Sequence, residues 1–140
     1  MVLESVLTAA ITVIIGVTVY ALGQMISKFV IEPIHKQDEL RGEIADSLIY
    51  YADVYGNPGM NTPRHSEAAE KFRQQASLLI SKTALIRKYA FFSWTGLIPT
   101  MQNVLNSHAN LIGLSNSVNS KGNSAQNVRW ADEVRKFLRI

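Results

Sequence analysis

The stretch LTAAITVIIGVTVYALGQMIS, residues 7–27, decides the architecture of this chain because it contains no charged side chain. The hydrocarbon core of a bilayer is about 30 Å thick, and roughly 20 apolar residues in a helix are enough to cross it. The stretch reaches that length. The sequence therefore predicts a transmembrane helix over residues 1–33, followed by a cytosolic domain over residues 34–140.

Small and hydroxyl-bearing residues interrupt this apolar stretch at steps of three and four. On a helix with 3.6 residues per turn, these positions fall within a stripe about 120° wide. Small residues let helix backbones approach closely and hydroxyls bond across helix interfaces, whereas a pore wall also accepts hydroxyl groups. The pattern predicts a homo-oligomer whose closed or pore-lining face consists of Ser5, Thr8, Thr12, Gly16, Tyr20, Gly23 and Ser27.

Charges on either side of the predicted span indicate its orientation. Glu4 is the only charged side chain before it, whereas Lys28, Lys36 and Arg41 follow it closely. Because Lys and Arg accumulate on the cytoplasmic side, we expect the amino terminus outside and the domain in the cytoplasm of a bacterium, with the span in the inner membrane. The span lacks a basic leader and exceeds a signal peptide's apolar core in length, so we expect it to be retained.

Helical periodicity continues after the span, and no strand pattern competes with it. The sequence predicts helices over residues 34–55, 62–89, 100–118 and 124–138, separated by turn signals such as GNPG at residues 56–59. Pro33 predicts a bend where the span meets the first of these helices. The expected fold is all-α, with one membrane helix continuing into an up-and-down four-helix bundle.

Each predicted helix of the domain carries one apolar face. The opposite face of the first helix carries Glu43, Asp46, Tyr50 and Asp53. We expect these residues to be solvated, or their carboxylates to pair with basic residues of a neighbouring copy. The candidate partners are Arg64, Lys71, Arg73 and Lys82. The predicted core positions are Leu40, Ile44, Leu48, Tyr51, Tyr55, Ala69, Phe72, Ala76, Leu79, Thr83, Ile86, Met101, Val104, Leu105, Leu111, Ile112, Leu114, Val128, Ala131, Val134 and Leu138.

The segment AFFSWTGLI, residues 90–98, is apolar but too short to span a bilayer. In an up-and-down bundle it returns to the membrane end of the domain. Trp and Phe beside Arg and Lys are typical of headgroup depth, although the same side chains would also complete a helical core. The predicted membrane-interface residues are Lys28, Arg87, Lys88, Phe91, Phe92 and Trp94.

Signatures of enzymes and metal sites are missing from the sequence. It contains no glycine-rich phosphate loop, no nucleophile elbow and no cysteine. Its three histidines, His35, His65 and His108, lack metal-ligand spacing. We therefore predict no metal, no cofactor and no established catalytic residue.

Asn103 and His108 form an N-x4-H pattern on the third predicted helix of the domain. The pattern resembles the R-x4-6-H or N-x4-6-H motif of the HEPN superfamily, whose helical domains include dimeric ribonucleases. This resemblance implies a HEPN-like bundle, with RNA as a partner and Asn103 and His108 as weak catalytic candidates. Asn stands where Arg is more usual, which removes a guanidinium that would stabilise a phosphate. In the alternative interpretation, Asn103 is a surface or capping residue and His108 is a half-buried packing residue.

One span joined to such a bundle also resembles the pore-forming accessory proteins of type VI-B CRISPR systems. GEIADSLIYYADVYGNPG at residues 42–59 and IGLSNS at residues 112–117 are similar to widespread single-span bacterial proteins. The resemblance adds a CRISPR or other defence effector to the partners that the span and its stripe predict, which are the lipid bilayer and further copies of the chain. The leading hypothesis is a homo-oligomeric membrane effector of antiphage defence, with a tethered ribonuclease or a passive scaffold as alternatives.

Overall fold

The computed structural model describes residues 2–140, and all regular elements in that range are helices, which confirms the predicted all-α class. A single π-helical turn, Ser27–Ile31, interrupts the first of them. The α-helices are α1 (Val2–Ile26), α2 (Glu32–Tyr50), α3 (Ala52–Gly56), α4 (Pro63–Ala84), α5 (Tyr89–Trp94), α6 (Met101–Ser117) and α7 (Ser124–Leu138).

The first helix is continuous from Val2 to Tyr50, through α1, the π turn and α2. Pro33 lies just inside α2, where it has no N–H to donate and its ring crowds the carbonyl four residues earlier. The wider π turn immediately precedes it, with the Glu32 N–H bonded to the Ser27 carbonyl oxygen. The irregularity predicted at Pro33 therefore takes the form of a π turn, and the helix continues past it.

The hydrophobic core lies where α4 packs against α2 and α6, and α6 packs against α7. Phe72 of α4 is completely buried, with its ring edge-on to Tyr51 at 5.8 Å between centroids and tilted against Tyr55 at 6.5 Å. All the core positions predicted on the first two helices of the domain are buried. The periodicity therefore identified the inward faces of α2 and α4 correctly.

Buried polar side chains connect these helices to one another. Gln37 of α2 donates to the hydroxyl of Thr83 at 2.7 Å, and Gln75 of α4 donates to the hydroxyl of Ser47 at 2.8 Å. Because a buried amide without a partner is costly, each pair favours one register of α4 against α2.

Two predicted helix boundaries are wrong. The helix predicted over residues 34–55 divides at Tyr51, whose φ of −101° and ψ of 21° separate α2 from α3. The helix predicted to reach residue 89 ends at Ala84, and Lys88 adopts a left-handed conformation before α5 begins. The turn at Lys88 separates α5 from α4, so the aromatic segment forms an element of its own.

Three predicted core residues are also wrong. Met101, Leu105 and Val128 are exposed, with 44 %, 46 % and 42 % of their surface accessible. Asn127 is buried in place of Val128, because its side-chain amide donates to the Tyr55 carbonyl oxygen at 3.0 Å. That carbonyl belongs to the last turn of α3, which leaves it without a helical partner.

The two ends of the domain are different. At one end, the Gly59 N–H donates to the Val118 carbonyl oxygen. This bond joins the loop before α4 to the end of α6. At the other end, Arg41 donates to the Leu138 carbonyl oxygen at 2.8 Å, and Arg139 donates to the Gly96 carbonyl oxygen at 3.0 Å. At this second end, the end of α7 therefore lies against α2 and the segment after α5.

Candidate functional site

In the described residues, one helix is long and apolar enough to cross a membrane, by length and composition. None of the residues of its first part, α1, is buried. A Cβ atom added at Gly16 or Gly23 would have no neighbour within 4 Å, and Tyr20 between them is 68 % exposed. In the described part of the chain, all seven residues of the predicted stripe are exposed.

The threonines of α1 bond within their own helix. The Thr8 hydroxyl donates to the Glu4 carbonyl oxygen and the Thr12 hydroxyl donates to the Thr8 carbonyl oxygen, each at 2.8 Å. Thr18, which lies off the stripe, bonds to Ile14 in the same way. These three hydroxyls therefore find their acceptors on α1 itself.

Arg87, just before the aromatic segment, contacts the π turn of the long helix. Its guanidinium carbon lies 5.3 Å from the centroid of the Phe29 ring, within the range of a cation–π contact. Phe29 belongs to the π turn. Two predicted membrane-interface regions, the one at Lys28 and the one beginning at Arg87, are therefore neighbours in space.

The aromatic side chains of α5 face outward. Trp94 is 82 % exposed and Phe91 is 57 % exposed, and their ring centroids lie 6.3 Å apart. Phe92 packs edge-on to Phe91 at 5.4 Å and is half-buried. Of this apolar segment, Ile98 is the residue that is fully buried. The alternative that Phe91 and Trp94 complete the core is therefore wrong.

Asn103 and His108 do not form a joint site within one chain. Five residues on an α-helix correspond to a rotation of about 140°, so the two side chains leave α6 in different directions. The Nδ1 atom of His108 lies 3.0 Å from the Ala76 carbonyl oxygen, so the ring donates its Nδ1 proton to α4. Asn103 lies in the first turn of α6, where its N–H donates to the Thr100 hydroxyl that caps the helix.

The acidic row on α2 and α3 is exposed, and one member pairs within the chain. Asp53 accepts from Arg64 at 3.1 Å, and the same guanidinium lies 4.7 Å from the centroid of the Tyr50 ring. Arg64 was a candidate partner for a neighbouring copy and is thus occupied here. Nearby, burial and a hydrogen bond to Glu67 raise the pKa of Tyr51 to about 12.

The histidines lie apart and make structural contacts. His35 lies 3.3 Å from the Glu39 carboxylate on the exposed face of α2, and His65 bridges Thr62 and the Asn57 carbonyl oxygen. Residues 2–140 contain no group of three or more His, Asp or Glu side chains placed to hold a metal ion.

A cavity beside the π turn of the long helix was not predicted from the sequence. It has a volume of about 220 Å³ and lies between the π turn and the end of α4, where Lys28, Lys36 and Lys82 meet Phe29 and Leu85. The spacing of Lys28, Glu32 and Lys36, each one helical turn from the next, could have indicated that these residues share one face of the helix. Lys82 is 46 residues beyond Lys36, so its arrival there depends on the fold.

The chain was compared with protein-family models, with curated proteins and with solved structures, and none of the three comparisons finds a match.

Proposed function

We propose that this protein is a homo-oligomeric, single-span membrane protein, with α1 in the bilayer of a bacterial inner membrane. In this proposal the amino terminus faces outward, and the remaining long helices form an up-and-down, HEPN-like bundle in the cytoplasm. The supporting observation is that α1, 25 residues long, has no buried residue. At 1.5 Å per residue such a helix is about 37 Å long, more than the roughly 30 Å of a hydrocarbon core.

The stripe on α1 supports assembly of several copies. Gly16 and Gly23 are seven residues apart and lie on one face with open space above them, so a second helix can approach closely. The threonine hydroxyls of the stripe already have acceptors on α1 and can enter such an interface without an unsatisfied donor. We propose that the stripe faces the centre of the assembly and lines a pore.

We propose that the protein acts as a membrane effector in bacterial antiphage defence, as the resemblance to type VI-B CRISPR accessory proteins implies. In this role it would permeabilise the membrane. Residues such as Tyr20 and Ser27 would then face water or the neighbouring helices. The effector that activates it would be a cytosolic partner of the bundle.

One observation favours a second candidate, a passive membrane scaffold for a cytosolic partner. Thr8, Thr12 and Thr18 satisfy their hydroxyl donors on α1 alone, on the stripe and off it. Threonine side chains with this arrangement are compatible with contact to lipid. The scaffold requires a hydrophobic α1 but no particular face.

The assembly is tested by filling the stripe with larger side chains. The double variant Gly16→Leu/Gly23→Leu should convert the oligomer to smaller species, because the added side chains prevent close approach. Ala10→Leu/Ala21→Leu is the matched control, since both alanines lie off the stripe. Particle mass in lipid nanodiscs gives the readout. Equal oligomer sizes in the unmodified protein and both variants would contradict assembly through the stripe.

Pore and scaffold are separated by electrical and functional measurements. Purified protein in planar bilayers should conduct, and replacement of residues 7–27 by polyleucine should abolish both conductance and cellular function. A scaffold predicts that the polyleucine variant keeps its function. Absence of conductance, with and without candidate activators, would exclude the pore. Resistance of the protein to extraction by alkaline carbonate tests the membrane insertion that both candidates require.

A further inference from the structure

We propose that the long helix, at its π turn, borders a site for the phosphodiester headgroup of an anionic phospholipid. The site is the cavity of about 220 Å³ between the π turn and the end of α4. Its cationic side is formed by Lys28, Lys36 and Lys82, which come from the π turn, α2 and α4. We name it the lysine pocket.

The charges of the lysine pocket leave an excess of positive charge. Its one carboxylate, Glu32, is bound by the Lys36 ammonium at 2.6 Å. Within residues 2–140, neither Lys28 nor Lys82 has a carboxylate at ion-pair distance, and Lys82 is half-buried. Glu32 also interacts electrostatically with Lys28, which helps to lower the Glu32 pKa. Three ammonium groups therefore line the cavity against one carboxylate, and this excess of positive charge suits a phosphate group.

The other side of the lysine pocket is apolar. Phe29 and Pro33 contribute from the long helix and Leu85 from the end of α4. Leu85 is 64 % exposed and Phe29 is 43 % exposed, although both adjoin the domain. Arg87 adds a further cation at the edge, over the Phe29 ring. Apolar surface beside clustered cations matches a lipid, whose glycerol and acyl chains adjoin its phosphate, better than a free anion.

The position of the lysine pocket relative to the bilayer rests on the proposed function. If residues 7–27 fill the hydrocarbon core, Lys28 lies at the cytoplasmic boundary, which is the depth of lipid headgroups. Basic pockets at this position are typical sites for anionic headgroups. A bound lipid would connect the span to α4 and fix the orientation of the domain relative to the bilayer.

Lipid binding to the full-length, detergent-solubilised protein can be measured by native mass spectrometry. The probes are phosphatidylglycerol, phosphatidylcholine and inorganic phosphate. We expect phosphatidylglycerol to bind in preference to the other two. Lys28→Gln/Lys82→Gln should bind it about thirtyfold more weakly, from about 1 kcal/mol per basic residue near an anionic lipid. Lys71→Gln/Lys121→Gln is the charge-matched control and should bind as the unmodified protein does.

Three outcomes would overturn the lipid site. These are equal binding of phosphatidylglycerol and phosphatidylcholine, equal weakening in both double variants, or displacement of the lipid by inorganic phosphate at similar concentration, which would indicate a free-anion site. Carbonate extraction of the unmodified protein separates the two proposals. If carbonate extracts the protein from the membrane while the protein still prefers phosphatidylglycerol, the proposed membrane insertion is contradicted and the proposal of the lysine pocket stands. Stable insertion without lipid preference would contradict the lysine pocket alone.

Discussion

Helix α1 and the domain of α2 to α7 satisfy their polar groups in opposite ways. In α1, the hydrogen bonds of Thr8 and Thr12 remain on the helix itself, and no residue is buried. In the domain, Gln37 and Gln75 bond to side chains of other helices, and residues such as Phe72 are fully enclosed. The helices of the domain are therefore held by contacts with one another, whereas the polar side chains of α1 with assigned bonds find their partners within α1 itself.

The strongest test of this comparison truncates the same residue type in both regions. Leu79 is fully buried and Leu22 on α1 is 54 % exposed. Leu79→Ala should lower the free energy of unfolding of the domain by about 2–5 kcal/mol, through lost burial and the cavity left behind. Leu22→Ala should leave it unchanged. Urea unfolding of solubilised protein, followed by Trp130 fluorescence, gives both values, since Trp130 packs against the core.

A similar effect of both leucine variants would show that α1 packs against the domain in solution. That result would contradict the separation of the two regions. An unchanged free energy of unfolding for Leu79→Ala would instead contradict the central position of α4 in the core.

A smaller effect is expected from removing a hydroxyl of the same type in each region. Thr83 is buried and accepts from Gln37, so Thr83→Val leaves that amide without its acceptor. The expected loss is about 1–3 kcal/mol of unfolding free energy. Thr12→Val removes a bond that is internal to α1 and should not change unfolding of the domain. The same urea experiment measures both, and a loss below about 0.5 kcal/mol for Thr83→Val would exclude a contribution from this bond.

Periodicity was sufficient to predict the long helices and most of their inward faces, because apolar positions with a 3.6-residue repeat lie on one side of a helix. It identified α7 to the residue, Ser124–Leu138, and the buried faces of α2 and α4. It failed for Val128 and Asn127. There, a carbonyl freed at the end of α3 takes the Asn127 amide, a tertiary bond that hydropathy does not register.

The candidate sites were predicted unevenly for a related reason. The stripe on α1 is local, since its residues follow from helical spacing alone. The lysine pocket requires Lys82, whose meeting with Lys28 depends on where α4 ends and how it packs. The end of α4 at Ala84 has no strong stop signal in LIRK, residues 85–88, so neither the boundary nor the pocket could be read from the sequence.

The smallest effect expected at neutral pH compares two tyrosines, and this effect also depends on pH. The raised pKa of Tyr51, about 12 against 10.0 for an ordinary tyrosine, means that the folded domain holds this proton more tightly than the unfolded chain. The resulting stabilisation is complete below pH 10 and is lost as the pH rises from 10 to about 12. Tyr51→Phe should therefore reduce the fall in melting temperature over this interval.

The matched control is Tyr20→Phe, because Tyr20 is a tyrosine of α1 without contact to the domain core. We expect its alkaline melting curve to coincide with that of the unmodified protein. At neutral pH, Tyr51→Phe should cost about 0.5–1.5 kcal/mol for the lost bond to Glu67. If Tyr51→Phe and the unmodified protein lose stability in parallel between pH 10 and 12, the Tyr51 proton is not held by the fold, and alkaline unfolding must begin at another group.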